Sequence, residues 1–169
     1  ARIAMVFQEP RLLPWRTVED NIRIAMHAAS VTGEIGEWLE RFDLSDQRHQ
    51  YAGELSLGQA RRVAMARAMS IRPDLLLLDE PLVSLDDTVA ARLRRELREI
   101  ADSHKVGILL ATHDLEEAAE LSDRMLFLAG KPARVVLEKE LSIPRSRRDR
   151  NAVMVLVDEI RAQAPGARD

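Results

Sequence analysis

Short apolar stretches along the chain alternate with stretches in which apolar residues recur every three or four positions. The short stretches have the length of strands and are Ile3–Phe7, Leu75–Leu78, Val106–Ala111, Met125–Leu128 and Arg134–Leu137. The helical pattern predicts helices over Asn21–Ala29, Gln59–Ser70, Thr88–Ile100, Leu115–Leu121 and Val153–Ile160. Strands and helices that alternate in this order predict an α/β fold built on a parallel sheet.

The residues between the first two strands predict a helical subdomain at about residues 17–71. Thr17, followed three residues later by Asp20, is a variant of the capping box that opens a helix. We therefore predict an α/β domain over residues 1–139 that contains this helical subdomain. Residues 140–169 are predicted to form a basic linker and a C-terminal helix.

The run Leu75–Leu78 ends in two adjacent carboxylates, Asp79 and Glu80. A continuous apolar run is typical of a central parallel strand that is covered on both faces. Ligands of open α/β sheets bind at the C-terminal ends of such strands, and burial of two adjacent acids needs a cation or a proton. A magnesium nucleotide would supply that cation, whereas a solvated acidic turn explains the pair alone equally well.

A second candidate for phosphate binding lies at the start of the helix that contains Gln59–Ser70. Ser56 supplies a hydroxyl, Gly58 supplies a flexible backbone, and the helix start supplies free N–H groups. These groups together are typical of an anion site, for which phosphate is the obvious anion. A Ser-x-Gly sequence before a helix is, on its own, usually only a helix cap.

Composition narrows the classes of function. The 169 residues include 46% apolar residues and carry a formal net charge of −3, which gives no electrostatic reason to expect nucleic acid. Cysteine is absent, so the chain has no disulfide framework and no thiolate metal site. No run of about 18 apolar residues occurs, so any link to a membrane is expected to go through a partner.

Five segments resemble, in their order and spacing, the motifs of the ABC-type ATPases. They are Gln8 after the first strand, LSLGQARRVAMARAM at Leu55–Met69, LLLLDEP at Leu75–Pro81, SLD at Ser84–Asp86 and ATHD at Ala111–Asp114. In that family these segments are the Q-loop, the signature motif, the Walker B strand, the D-loop and the H-loop. The resemblance runs from about Ile3 to Leu137 and implies a P-loop NTPase-like fold. Within the family, the segment Val6–Ile22 looks most like importer subunits for nitrate, sulfonate and taurine.

The resemblance implies roles for four residues around a bound ATP and its magnesium ion. Asp79 would hold the magnesium through water, and Glu80 would orient or polarise the attacking water. Gln8 would contact the magnesium or the attacking water, and His113 would contact the γ-phosphate. Outside the motif order, Gln8 is a polar loop residue and His113 is an ordinary surface or core histidine.

Other residues are implied to act on the nucleotide of a second ATPase subunit. In the family two ATPase domains pair head to tail, so Ser56, Gly58 and Gln59 would bind the γ-phosphate held by the partner. Asp86 would carry contacts across the same interface, or would only cap the helix that follows it. Leu57 departs from the family pattern, which usually has Gly there, so its side chain must point away from phosphate or alter the approach of the backbone.

The sequence contains no GxxxxGK[ST] segment, whose backbone N–H groups and lysine cradle phosphates. Ala1 is not an initiator methionine, and the strand at Ile3–Phe7 has no turn or cap before it. We therefore expect a chain cut inside its domain, with the N-terminal strands, the Walker A loop and the adenine-stacking aromatic residue upstream. Such a chain by itself is expected to bind ATP poorly and to be inactive.

The resemblance predicts that the parent protein is the ATP-hydrolysing subunit of an ABC importer. It would lie on the cytoplasmic side of the cell membrane, bound to a transmembrane permease and paired with a second ATPase subunit. The loop Leu12–Thr17 is the predicted permease contact because it carries the apolar residues Leu12, Leu13 and Trp15. These side chains could instead fold back into the helical subdomain.

Two alternative functions stay open. The first is a non-transport ABC-type ATPase of DNA repair or of the ribosome, although the sustained heptads of repair coiled coils are absent between Gln8 and Ser56. The second is a non-catalytic fragment. A basic cluster before the last helix predicts a solvated linker, or less readily a contact with anionic lipid; it consists of Arg145, Arg147, Arg148 and Arg150.

Overall fold

The computed structural model describes residues 1–83, 85–103 and 106–163, which pack as two compact units. The first unit is Ala1–Ala111, and the second begins at Thr112. Ser84 of the predicted D-loop and the last six residues of the predicted C-terminal segment, 164–169, lie outside the described residues. The predicted boundary between residues 139 and 140 stays a prediction, since the two units are defined by packing alone.

The first unit places a helical segment between strands of one parallel sheet. Its elements are β1 (Ile3–Val6), α1 (Val18–Ala28), α2 (Ile35–Arg41), a 3-10 turn (Ala52–Glu54), α3 (Leu57–Ser70), β2 (Leu75–Asp79), α4 (Asp87–Ser103) and β3 (Gly107–Ala111). The sheet order is β1-β2-β3, with Val6 opposite Leu78 and Asp79 opposite Ala111. The predicted α/β fold with a parallel sheet is confirmed, and the C-terminal ends of all three strands lie at one edge.

β2 is the central strand of this sheet, as predicted, but its two faces are covered unequally. Leu76 and Leu78 are buried, whereas Leu75 and Leu77 are only half-buried. On β1 the same alternation leaves Ile3 58% exposed. The prediction of a strand covered on both faces is therefore wrong for the described residues. Alternate residues of a strand face opposite sides, so a run of four leucines cannot show which side is packed.

The helical segment begins as the sequence predicts. The Thr17 hydroxyl accepts a hydrogen bond from the Asp20 amide at 3.1 Å and caps α1. α1 and α2 both pack against α3, and their core includes Ile22, Leu39 and Phe42, all fully buried. Packing of amphipathic faces, rather than intrinsic helix propensity, stabilises such short helices.

One carboxylate of this helical segment is buried. Glu19 on α1 accepts hydrogen bonds from Arg48 at 2.6 and 2.9 Å and from Arg23 one turn along the same helix. The hydrogen bond from Arg48 lowers the pKa of Glu19 against the opposing effect of desolvation, and the charge of Arg23 lowers it further. This group of charges ties α1 to the loop that follows α2.

The second unit consists of two helices and a β-hairpin. Its elements are α5 (Leu115–Leu121), β4 (Arg124–Ala129), β5 (Arg134–Glu140), a 3-10 turn (Arg145–Arg147) and α6 (Arg150–Gln163). β4 and β5 are antiparallel and form a separate sheet, so they do not extend the parallel sheet of the first unit. The core of the unit includes Ala119, Leu156 and Ile160, which are fully buried.

Two arginines of the predicted basic linker are not solvated. Arg148 is 5% exposed and donates to the carbonyls of Ile143, Ala119 and Ser122 at 2.6 to 2.9 Å. Arg145 forms an ion pair with Asp123 at 3.1 Å. The linker prediction is wrong at these positions because backbone carbonyls at the end of α5 use the guanidinium of Arg148 as their donor. In the described part of the chain, no helix has both the length and the apolar content needed to cross a membrane.

Candidate functional site

Gln8, Asp79 and Glu80 lie at the same edge of the parallel sheet. Asp79 is the last residue of β2, and Gln8 and Glu80 each follow the paired positions Val6 and Leu78 by two residues. Gln8 is exposed, whereas both acids are half-buried. The fold therefore brings together three of the four residues that were predicted to surround ATP and magnesium.

The backbone of Glu80 turns sharply where the strand ends. Glu80 has a φ of 47°, in the left-handed region that non-glycine residues seldom adopt. Its amide donates to the carbonyl of Ala111 at the end of β3, at 2.9 Å. Its own carbonyl accepts from the Val83 amide at 3.4 Å. These bonds hold the strained residue, and such strain is found most often at functional sites.

The carboxylate of Asp79 has no internal partner in the part of the chain that the structure describes. Neither a hydrogen bond nor an ion pair joins its side chain to a described residue. A half-buried carboxylate without an internal partner keeps its acceptor capacity, so it is suited to accept a cation or the water of a hydrated cation. Among the described residues no group of three His, Cys, Asp or Glu side chains is close enough to bind a metal ion. The described His, Cys, Asp and Glu residues therefore do not complete a ligand set around Asp79.

The predicted signature segment forms a complete capping box at the start of α3. The Ser56 hydroxyl accepts from the Gln59 amide at 3.3 Å, and the Gln59 side chain accepts from the Ser56 amide at 2.9 Å. The amides of Leu57 and Gly58 make no hydrogen bond within the described residues. They leave two N–H donors at a helix N-terminus, which is the arrangement that binds anions. The side chain of Leu57 is 47% exposed.

Asp86 caps α4 and lies near the signature segment. Its carboxylate accepts from the amides of Thr88 and Val89 at 3.1 and 3.0 Å, as the cap reading of Asp86 predicted. A Cβ added to Gly58 would stand 3.8 Å from side-chain atoms of both Leu85 and Val89. The starts of α3 and α4 are thus neighbours, and Ser56, Gly58, Gln59 and Asp86 form a second group in the first unit.

The loop that follows the first strand is anchored by α1. The buried side chain of Asn21 accepts from the Leu13 amide at 2.8 Å and donates to the carbonyls of Leu13 and Thr17 at 3.2 and 2.9 Å. A polar side chain that replaces backbone partners in this way fixes the loop conformation. Leu12 and Leu13 are half-buried, so they are less exposed than the sequence led us to expect.

The same loop is held from its other side by the segment before α3. The Gly53 amide donates to the carbonyl of Pro14 at 3.1 Å, and a Cβ on Gly53 would come within 3.3 Å of Pro14. A larger residue at position 53 would therefore require Pro14 to shift by a few tenths of an ångström. Between these anchors Trp15 is 68% exposed. Trp15 does not fold back into the helical segment, so an apolar side chain is left on an ordered loop.

His113 belongs to the second unit and lies between β3 and α5. The residues around it form a tight turn in which the Asp114 amide donates to the Thr112 hydroxyl at 3.1 Å. Asp114 in turn caps α5 by accepting from the amides of Glu116 and Glu117. His113 is exposed at this turn. Its predicted contact with the γ-phosphate stays a prediction.

The sequence did not predict that arginines of α3 bind the backbone of the loops at this site. Arg61 donates to the carbonyls of Gln8 and Val83, and Arg67 donates to the carbonyls of Pro10 and Arg11. These partners are 22 to 57 residues away in the chain. An arginine on a helix gives no local signal for a distant carbonyl acceptor, so only the fold reveals the contacts.

Comparison with known proteins gives a consistent result. A family model described as ABC transporter matches residues 1–83. The chain is 40% identical, over 164 residues, to the aliphatic sulfonates import ATP-binding protein SsuB 1 of Pseudomonas savastanoi pv. phaseolicola. This match covers 96% of this chain and 67% of that relative. It is also 40% identical, over 152 residues, to SsuB 2 of Burkholderia cenocepacia, with 88% of this chain and 56% of that relative covered. The chain thus spans between 56% and 67% of the length of these two relatives.

Solved structures give the same fold. A dimeric bacterial ABC transporter cassette is similar with a TM-score of 0.75 at 25% identity, over 85% of this chain and 64% of that chain. A dimeric ATP-binding cassette in a post-hydrolysis state, bound to ADP and Pi, has a TM-score of 0.74 at 24% identity, over the same shares. The P-loop NTPase-like α/β fold predicted from the sequence is confirmed by these similarities.

Proposed function

The chain belongs to the family of ABC transporter ATP-binding proteins, and we propose that it is part of a subunit that hydrolyses ATP to drive solute import. The observation that carries this proposal is the end of β2, where Asp79 has no partner among the described residues and Glu80 is held in a strained turn. An unpaired acid next to a second acid at this edge of an open α/β sheet suits a magnesium nucleotide.

We assign complementary roles to the residues at this edge. Magnesium, when bound with ATP, would neutralise charge on the phosphate oxygens. Asp79 would hold the hydrated cation, while Glu80 would orient the attacking water and accept its proton. The exposed Gln8 amide would contact the cation or the water from the neighbouring strand. His113, which follows β3 by two residues in the chain, would donate to the γ-phosphate.

The start of α3 is proposed to bind the phosphate of a nucleotide held by a second subunit. Because the capping box satisfies Ser56 and Gln59 internally, the free amides of Leu57 and Gly58 are the principal donors. Backbone N–H groups at a helix start bind phosphate without a positively charged side chain. The exposed Leu57 side chain would point away from the phosphate, and Asp86 would contribute at the same interface.

The permease is proposed to contact the loop around Trp15. An exposed tryptophan on an ordered loop is typical of a residue that dominates a protein interface. With this contact the subunit would sit on the cytoplasmic side of the membrane as a peripheral protein.

The two relatives are named for import of aliphatic sulfonates. We propose this class of solute for the transporter, and the solute would be bound by components other than this chain. A role in DNA repair or at the ribosome is less well supported, because nothing between β1 and β2 forms a long coiled coil.

The experiment that tests the proposal uses the full-length product of the gene that encodes this chain, reconstituted with its permease. Hydrolysis of ATP is expected, and Glu80→Gln should lower it about 100-fold or more while ATP binding persists, because the amide cannot accept the proton. The matched control is Glu40→Gln, which changes an exposed glutamate of α2 and should leave turnover unchanged. Absence of hydrolysis by the wild type would overturn the function, and normal turnover by Glu80→Gln would remove Glu80 from its role.

A further inference from the structure

Arg61 connects two loops that carry proposed functional residues. It lies on α3, and its Nη1 donates to the carbonyl of Val83, three residues after Glu80. Its Nη2 donates to the carbonyl of Gln8 at 3.5 Å. One guanidinium therefore holds the segment after β1 and the segment after β2 on the same helix.

The burial of Arg61 indicates that its contribution is geometric. The residue is 6% exposed, and desolvation lowers the pKa of its guanidinium. Its Nε is buried and has no acceptor among the described residues. A buried charge with incomplete hydrogen bonds adds little net stability. A planar guanidinium does, however, fix the relative positions of two acceptors.

Arg67 extends this connection along the first loop. From a position six residues later on α3, it donates to the carbonyls of Pro10 and Arg11 at 3.0 and 2.8 Å. The two arginines are about 9 Å apart along the axis of α3. Together they attach the loop from Gln8 to Arg11 to the helix at two points. The loop after β1 cannot shift without moving α3 or breaking these bonds.

We propose that Arg61 is a positioning residue for ATP hydrolysis, which sets the spacing between Gln8 and the segment that follows Glu80. The inference rests on the proposed function, because it assumes that Gln8 and Glu80 act on one nucleotide. Arg61 also links both loops to α3, the helix that Ser56 caps. A displacement of the Gln8 loop is thereby transmitted to the start of α3.

The neighbouring Arg62 provides a matched control. It also donates from α3 to backbone carbonyls, those of Phe42 and Asp43 at 3.1 and 2.8 Å. These acceptors lie after α2, away from the Gln8 loop. Arg62→Met therefore removes an arginine of the same helix with a similar kind of contact, but without touching either loop that Arg61 holds.

The first measurement is amide hydrogen exchange in the full-length gene product without nucleotide. Arg61→Met is expected to speed exchange about fivefold in a peptide that covers residues 80–83, the factor that corresponds to roughly one lost hydrogen bond. In this segment the amides of Glu80 and Val83 are hydrogen-bonded and can report the change. Arg62→Met should speed exchange only near residues 42–44. Arg61→Lys should fail to restore protection in residues 80–83, because an ammonium cannot reproduce the guanidinium fork. Unchanged exchange in this segment, or full restoration by lysine, would contradict the connection.

The second measurement separates positioning from a merely structural role. In reconstituted protein, Arg61→Met should lower kcat for ATP about tenfold with little change in KM, because a transition-state alignment is lost and ground-state binding is kept. Arg61→Lys serves as the second variant if the methionine variant does not fold. An unchanged kcat, or a loss of kcat that only follows the loss of folded protein, would overturn the proposal. If the wild type does not hydrolyse ATP, the proposed function fails, while hydrogen exchange still decides whether Arg61 fixes the segment that follows β2.

Discussion

Glu19 and Asp79 are two acids of the same unit with opposite surroundings. Glu19 is 6% exposed and receives hydrogen bonds from Arg48 and Arg23. Asp79 is half-buried, and no described residue bonds to its side chain. An acid with its partners supplied by the fold is a structural element, whereas one without partners has bonding capacity left for a ligand. This difference in bonding partners, more than the presence of an acid, distinguishes a ligand-binding acid from a structural one.

The strongest test of this contrast is Asp79→Asn. Hydrolysis of ATP by the full-length gene product should fall about 100-fold or more, because the amide holds a hydrated cation far less well than a carboxylate. The thermal midpoint should stay the same or rise, because no internal bond is lost. Phosphate release and thermal unfolding measure the two quantities. A lower midpoint with normal hydrolysis would make Asp79 a structural acid like Glu19.

Glu19→Gln should show the reverse pattern. The variant is expected to lose about 1.5 kcal/mol of unfolding free energy, since hydrogen bonds to a charged group are removed but solvent screens the half-exposed arginines. Its hydrolysis rate should be unchanged at temperatures where the protein is folded. Urea unfolding monitored by circular dichroism measures the loss, and Glu40→Gln on the exposed face of α2 is the control.

Ser56 allows the two kinds of role to be separated at one position. Ser56→Ala should cost about 1 kcal/mol in urea unfolding, because the capping box at the start of α3 is broken. Ser56→Asp should keep stability, because aspartate caps equally well, but it should lower hydrolysis by placing a negative charge beside the proposed phosphate. If Ser56→Asp hydrolyses ATP normally, the start of α3 is only a helix cap.

The smallest expected effect is the pH dependence of the Glu19 contribution. The pKa of Glu19 in the folded protein lies below its ordinary value of 4.5. Its stabilising effect is therefore fully present above pH 4.5 and is lost as the pH falls through the folded pKa. The stability difference between wild type and Glu19→Gln should shrink below pH 4.5 in urea titrations. A difference that is constant down to acid unfolding would show that the charge of Glu19 contributes nothing.

Local patterns in the sequence predicted the elements of the fold well. The Thr17 cap, the helix at Leu115–Leu121 and the strand that ends in Asp79 could be recognised from neighbouring residues. These features depend on interactions within a few positions, so the sequence around them is sufficient. Only the resemblance to the family placed Gln8 and Glu80 around one nucleotide, and the structure puts them at the same edge of the parallel sheet.

Features that depend on distant residues could not be predicted in the same way. Arg61 bonds to carbonyls that are 22 and 53 residues away in the chain. The buried Arg148 bonds to carbonyls that are 5 to 29 residues away. Helical periodicity does not predict which distant carbonyl will accept a hydrogen bond from a given guanidinium. The left-handed backbone of Glu80 was also missed, because glutamate has no local preference for that conformation.

The loop that presents Trp15 has a consequence for the kinetics of association. Asn21 and Gly53 already fix its backbone in the unbound protein. A partner that covers the indole therefore loses little of its binding free energy to the ordering of a flexible segment. Pre-ordered surfaces change little in shape when they bind, so the encounter need not wait for a rearrangement. Gly53→Ala, which would crowd Pro14, should consequently slow docking even though the tryptophan itself is intact.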